Sequence, residues 1–397
     1  MKKIWTIVLF FLSLVVLAGC QDNTEPTAEL LSFKVEVIEI DEFVLLSEDV
    51  AFAEGETKRV IDLIEEAIGI DYTVYPFGYF INGVGDLYPK EYGVTFNYSF
   101  AIYVDDVAIT TGVENINLRD GMVITFQEVT LLDETDRMVD VLIQTFIENH
   151  LSTYVSLSGL EPHVVAALRH LNARNYFAPQ LGSLIPKPTN FPVDTISNAF
   201  KSALLAKSFV SNTDDIKDAL LLMEAQNYYE SISLLNALTM VQADGASRTA
   251  VVEDLIAGTP EFMDADYAGM LLTALAPYVT VEGVDLQVEA MITYIKENLS
   301  EDGITSWGSA NSASTAAVIF GLIAHAIDPR GEDYQTGGVD LIEALIAYEV
   351  DGAYKWTLDS ETTDMVFSTP QVFSALVAYK VYRDVYLKPA FYFYYLG

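Results

Sequence analysis

Two short segments with the same spacing constrain the larger part of this chain more than anything else in it. Asp302-Gly303 is followed by Trp307, and Asp351-Gly352 by Trp356, after which Ser314-Thr315 and Ser368-Thr369 each stand at the opening of an apolar run. Those runs align as Gly321-Leu322-Ile323 and Ala375-Leu376-Val377, with an earlier counterpart in Ala274-Leu275-Ala276. The period is about 50 residues, or two helices per repeat, and such pairs stack because one pair cannot bury its apolar face alone.

From Asp136 onward the apolar spacing predicts helices at Met138–His150, Pro162–Leu171, Thr195–Ser208, Thr213–Glu224, Tyr229–Val241 and Arg248–Ala257. It predicts further ones at Asp266–Tyr278, Leu286–Leu299, Ser312–Ile327, Val339–Tyr348 and Gln371–Tyr386, with the proline-rich Leu181–Pro192 as a non-helical break. Ala316, Ala317, Val318, Phe320 and Ala324 make one helix of its pair apolar all round, which asks for burial on both sides, whereas Leu286–Leu299 is amphipathic and belongs outside. Inner helices ringed by outer ones describe a closed α/α toroid, expected over 136–397.

The part before it alternates differently. Phe33–Ile38, Tyr79–Ile81, Thr95–Val104 and Met122–Val129 read as strands, and Asp120-Gly121 as a turn. Thr57–Ile68 reads as one helix, capped by Thr57 and stopped by Gly69. A small α+β domain is therefore expected over 32–130, making the chain a multidomain α+β protein. Its length of 397 residues exceeds one ordinary core, and 51% hydrophobic residues suffice to fill two.

The first residues speak to location. Met1-Lys2-Lys3 precedes the apolar Ile4–Ala18, which is too short to span a bilayer, and Leu17-Ala18-Gly19-Cys20 resembles the lipobox of bacterial lipoprotein signal peptides. The resemblance implies a signal peptide over 1–19, a diacylglyceryl thioether on Cys20, and a polar tether over 20–31. The chain would then sit outside the cytoplasmic membrane, touching it through the lipid anchor alone. Cys20 is the single cysteine, so no intrachain disulfide or cysteine metal site can form. A net charge of −36, with no Lys/Arg cluster along the sequence, argues against nucleic acid and anionic lipid as partners.

Two further resemblances bear on function. Gly78-Tyr79-Phe80-Ile81-Asn82-Gly83-Val84, Phe100-Ala101-Ile102-Tyr103-Val104-Asp105-Asp106, Gly112 and Leu118-Arg119-Asp120-Gly121-Met122 look like the β-grasp domain of the cobalamin carriers of the transcobalamin and intrinsic-factor family. That family has Trp where Phe100 stands, and Asn-Gly where Asp105-Asp106 stands. The helical part is similar to the α/α toroid shared by terpenoid cyclases, protein prenyltransferases and those carriers. Asp264-Ala265-Asp266-Tyr267, Asn311-Ser312-Ala313-Ser314-Thr315 and Gln371 match the carrier branch best. The two domains stand in the reverse of the carriers' order.

The resemblance implies a cobalamin-like ligand held between a β-grasp domain and the toroid, for capture or handover to a membrane importer. The ligand-binding positions it carries over are Asp266, Tyr267, Asn311 and Gln371 on the helical side, and Tyr79, Ile81, Phe100, Ile102 and Tyr103 on the β side. An Asp or Asn at a helix start is also a natural N-cap, so Asp266 and Asn311 can be caps alone, whereas Gln371 is a poor cap. No catalysis, metal or required cofactor is expected: the Asp264/Asp266 pair has Tyr267 where cyclases carry a further acid, and His150, His163, His170 and His325 lack metal-ligand spacing. The alternative is a surface adhesion or polymer-binding lipoprotein. For that, the aromatics Tyr386, Phe391, Tyr392, Phe393, Tyr394 and Tyr395 would be a sticky patch rather than a packed terminus.

Overall fold

The computed structural model describes residues 30–76, 78–109, 112–156, 159–258, 263–384 and 391–395. The expected signal peptide and the lipidated Cys20 lie outside these residues. The chain is a mixed α+β protein whose contacts divide it into two compact units. One comprises 30–89 and 100–129, and the other 90–99 with everything from Thr130 on. Residues 90–99 thus leave the span expected for the β domain and pack within the helical unit. Leu30 and Leu31, expected as the end of the tether, already belong to the first strand.

In the smaller unit β1 (Leu30–Ile38) pairs antiparallel with β2 (Val44–Ala53). After α1 (Val60–Ala67) come the hairpin β3 (Ile70–Tyr75) and β4 (Gly78–Val84), then β5 (Tyr98–Val104), β6 (Val107–Ala108) and β7 (Val123–Thr130). The sheet order is β2-β1-β7-β5-β6, with β1 and β7 parallel at its centre. Period-two alternation sends Phe33, Val35 and Val37 to the face where Ile61 and Ile64 of α1 also lie buried, with Ile124 and Phe126 of β7. The helix is capped from Arg59, whose backbone N–H and guanidinium both meet Asp62; Thr57 is not its cap. Gly69 follows at φ +91°, a left-handed stop that favours glycine.

The larger unit contains α2 (Glu134–Asn149), the single turn α3 (Leu151–Tyr154), α4 (Pro162–Ala173), α5 (Ile196–Ser208), α6 (Asp214–Leu220), α7 (Tyr228–Met240) and α8 (Gly245–Ala257). It continues with α9 (Ala265–Leu275), α10 (Val284–Glu297), α11 (Ser312–Ala324), α12 (Leu341–Ile346) and α13 (Ser368–Asp384). Helix α4 packs on α5, α5 on α7, α7 on α9, α9 on α11, α11 on α13, and α13 back on α4, so the order closes on itself. The helices between them lie outside: α6 against α5 and α7, α8 against α7, α10 against α9, α12 against α11, and α2 against α13. Burial follows the sequence pattern. Nearly every residue of α11 is buried, whereas α10 buries Val284, Met291 and Ile295 on one stripe.

The repeat has a local mechanism. Short hairpins at Leu299–Ser306 and Glu349–Tyr354 turn at Glu301-Asp302 and Asp351-Gly352, with Gly303 after the first turn at φ +102°, and Asp351 at φ +53° and Gly352 at φ +83° in the second. The hydroxyl of Thr315 accepts the Ile304 N–H at 3.0 Å, and that of Thr369 accepts the Tyr354 N–H at 2.9 Å. Each threonine latches its hairpin onto the inner helix that follows.

Helices α9 and α11 cross with their backbones touching at Gly269 and Gly321. A Cβ on Gly269 would run into the backbone of Ala317 and Val318, and one on Gly321 into the carbonyl of Gly269. Helix propensity favours Gly269→Ala by about 1 kcal/mol, but the collision is with backbone and cannot be relieved by a rotamer. The expected net result is a loss of about 1–3 kcal/mol in urea unfolding. An unchanged or higher midpoint would mean that the two helices separate freely.

Candidate functional site

Side chains from all six inner helices, from their first turn to past their middle, meet around one cavity of about 380 Å³. Its polar groups come from His163 (α4), Ser233 and Asn236 (α7), Asp266 (α9) and Gln371 (α13). Its apolar wall comes from Phe200, Met270, Ala313, Ala317, Phe320 and Trp356. Helical spacing selects these positions: Asp266, Met270 and Thr273 stand at i, i+4 and i+7 on α9, and Ala313, Ala317 and Phe320 do the same on α11. The volume lies within the range of roughly 300–1,000 Å³ usual for small-molecule sites, at its lower end.

Asp266 faces this cavity and does not cap its helix. The cap is Asp264, which accepts the Tyr267 backbone N–H at 2.8 Å and the Tyr229 hydroxyl at 2.7 Å. The carboxylate of Asp266 accepts the indole N–H of Trp307 at 3.0 Å, from the tip of the hairpin that precedes α11. Burial pushes the pKa of Asp266 up; the Trp307 N–H and the Ser314 hydroxyl pull the other way without reversing it. The native state therefore holds this proton more tightly than the unfolded chain does. Stability falls as pH rises from the ordinary carboxylate range through the raised native value, then levels off. Asp266→Asn is expected to melt above the unaltered protein at pH 7 and together with it below the ordinary carboxylate range. A variant that melts lower at pH 7 would mean that the Trp307 contact outweighs the desolvation.

Gln371 stands in the first turn of α13, whose first amides are already taken: Asp364 accepts the backbone N–H groups of Val366, Phe367 and Ser368. The Gln371 amide faces the cavity and makes no side-chain hydrogen bond among the described residues. Asn311 and Tyr267 are not among the residues that line this cavity. Asn311 is fully buried and accepts the Ser314 N–H at 2.8 Å, so it is the α11 cap. Tyr267 is 1% exposed, wedged edge-on against Tyr228 and Tyr229, with no hydrogen-bond partner for its hydroxyl among the described residues; burial pushes its pKa up to about 12.

The β-side positions belong to the smaller unit. Ile81 is 4% exposed and part of its core, while Phe100 and Ile102 pack against that core, Phe100 edge-on to Phe126. Ile81 is buried, whereas Phe100 and Ile102 are only partly so. Tyr79 stacks on Tyr72 with ring centres 4.9 Å apart and accepts a bond from Arg59 at 2.9 Å. Tyr103, on the opposite strand face from Ile102, is half-buried and pairs with Ala108.

Of the C-terminal aromatics, Tyr394 lines this cavity. His170 and the Phe393 carbonyl are 2.6 Å apart, the Tyr392 hydroxyl donates to Asn236 at 2.6 Å, and the Tyr394 hydroxyl lies 3.4 Å from His163 Nε2. Burial holds His170 neutral, at about 4. Phe391 and Phe393 are buried and Tyr392 and Tyr394 partly buried within the helical unit, whereas Tyr395 is 65% exposed. Tyr386 lies outside the described residues. Sequence reasoning missed His163, Phe200, Asn236, Phe320 and Tyr394, although the i, i+3, i+4 stripe on each inner helix was available to find the helical ones. No protein-family model matches the chain, and no curated protein matches it.

Proposed function

We propose that this chain is an extracytoplasmic, lipid-anchored protein that captures a small ligand without chemically changing it. Its seat is the cavity at the N-terminal end of the inner helices, within an α/α toroid preceded by a β-grasp domain. The observation that carries this is the convergence of one wall residue or more from each of six helices on a single apolar space holding an amide unpaired among the described residues and a carboxyl whose pKa burial raises. A protonated Asp266 donates to a ligand oxygen and an ionised one accepts from a ligand amide, while Gln371 does either. Cobalamin-like compounds, with amide arms around an apolar macrocycle, match this chemistry. At about 380 Å³ the space takes part of such a molecule, an arm or an edge, and the remainder lies outside it.

The test is to mix the full chain with cyanocobalamin, desalt it and record the visible spectrum of the protein fraction. The corrinoid bands are expected to stay with the protein. Gln371→Ala is expected to weaken calorimetric affinity about 10-fold, the worth of one buried hydrogen bond, with the melting temperature unchanged. Loss of affinity and stability in step would assign Gln371 to the scaffold instead. A fraction without corrinoid bands that adheres to polysaccharide would favour the adhesion alternative.

A further inference from the structure

At the opposite end of the same helices the fold gathers charges that the sequence keeps far apart. Arg169, Arg174, Lys207 and Arg248 all line a second cavity, of about 1310 Å³, together with Tyr176, Phe391, Tyr392 and Tyr395. Tyr394 lines this cavity and the first one, so its ring is part of the partition between them. In a chain carrying 57 acidic and 21 basic residues such a grouping is unexpected.

The one carboxylate among the described lining residues is Asp384, and it is already engaged. It accepts from Tyr176 at 2.6 Å, from Asn97 at 3.0 Å and from Arg383 at 2.7 Å, and lies 3.2 Å from Lys380. None of the four cations forms an ion pair with a described residue. Arg174 spends one N–H on the His170 carbonyl at 3.2 Å, and its guanidinium sits 5.6 Å from the Phe391 ring centre.

Helix dipoles account for part of this. Helices α4 and α5 end here, and a cation is favourable at a helix C-terminus. They do not account for Arg248, which stands near the start of α8, where the dipole disfavours positive charge. Its Nε–H is also buried and has no acceptor among the described residues. An arginine that lines the cavity with no ion-pair partner among the described residues is a forked donor set suited to an oxyanion there.

We propose that this second cavity binds a small organic anion: an oxyanion head, carboxylate or phosphate, on a flat aromatic body. The head takes the free N–H groups of Arg248 and Arg174, which offer planar, forked donors. The body lies against Phe391 and the tyrosines. The site is separate from the proposed capture cavity and does not depend on it.

Calorimetric titration of the full chain, in neutral detergent, with 2-naphthoate and with its uncharged amide tests this. Naphthoate is expected to bind roughly 10-fold tighter than the amide or better, and Arg248→Gln to erase most of that difference while the melting temperature holds. Equal affinity for acid and amide would overturn the proposal, as would unchanged naphthoate binding in a folded Arg248→Gln protein. Should that variant not fold, the acid–amide comparison on the unaltered chain decides alone. Weakening of naphthoate by Gln371→Ala would put the probe in the first cavity and overturn the assignment equally.

Discussion

Replacing Lys380 by methionine is expected to cost about 3–5 kcal/mol of unfolding free energy. The ammonium is 4% exposed and sits among three carboxylates, at 2.7 Å from Glu91, 3.0 Å from Asp140 and 3.2 Å from Asp384. Arg383 shares Asp140 and Asp384 with it, at 3.0 Å and 2.7 Å. The network ties residues 90–99 and α2 to the last inner helix. Methionine keeps the stem's volume and removes one charge, leaving the acids under-compensated where water does not reach. Burial alone pulls the Lys380 pKa down, but Asp140, Asp384 and Glu91 together lift it above the ordinary lysine value. Its stabilisation is therefore complete below that value and is lost as pH rises through the higher native one. Urea unfolding at pH 7 and at alkaline pH checks both parts: the gap between the two proteins should narrow at high pH. A loss under about 1 kcal/mol at pH 7 would mean that solvent already screens the network.

Phe393→Ala is expected to cost about 3–5 kcal/mol as well, through a different mechanism. The ring is 2% exposed, meets Phe320 edge-on at 4.8 Å and lies 5.2 Å from His170. Truncation removes these contacts and leaves a void beside the partition between the two cavities, which the surrounding helices cannot collapse to fill. Unfolding measurements should show the full cost, and an apolar probe should gain access to the enlarged space. A loss under about 1 kcal/mol would mean that residues 391–395 rest loosely in the interior.

These two sites mark the limits of what the sequence displayed. The inner helices were legible because their apolar residues run all round, as in Ala316–Ala324, and the outer ones because Val284, Met291 and Ile295 fall on one stripe. Strand β2 was not, since it is a sheet edge whose outward residues Ser47–Asp49 are exposed and only Val50 and Phe52 are buried. Asp264 and Asp266 look alike in sequence; the backbone decides between them, because Asp264 is extended at φ −129° and can reach back to cap. Gln371 was recognisable as a poor cap. Asn311 read as a natural cap as well as a ligand contact, and its side chain does cap α11. Arg169 and Arg248 are brought together by closure of the helix order, which no local pattern records.

The central claim is that the space walled by Asp266, Gln371 and Ala317 receives the ligand. Its most direct test is calorimetric titration of cyanocobalamin into the full chain and into Ala317→Trp, whose indole would occupy that space while leaving the surrounding surface as it is. Binding to the first is expected, with at least a roughly 100-fold weaker response from the second and matching circular dichroism spectra. Equal binding by both proteins, or none by either, would contradict it.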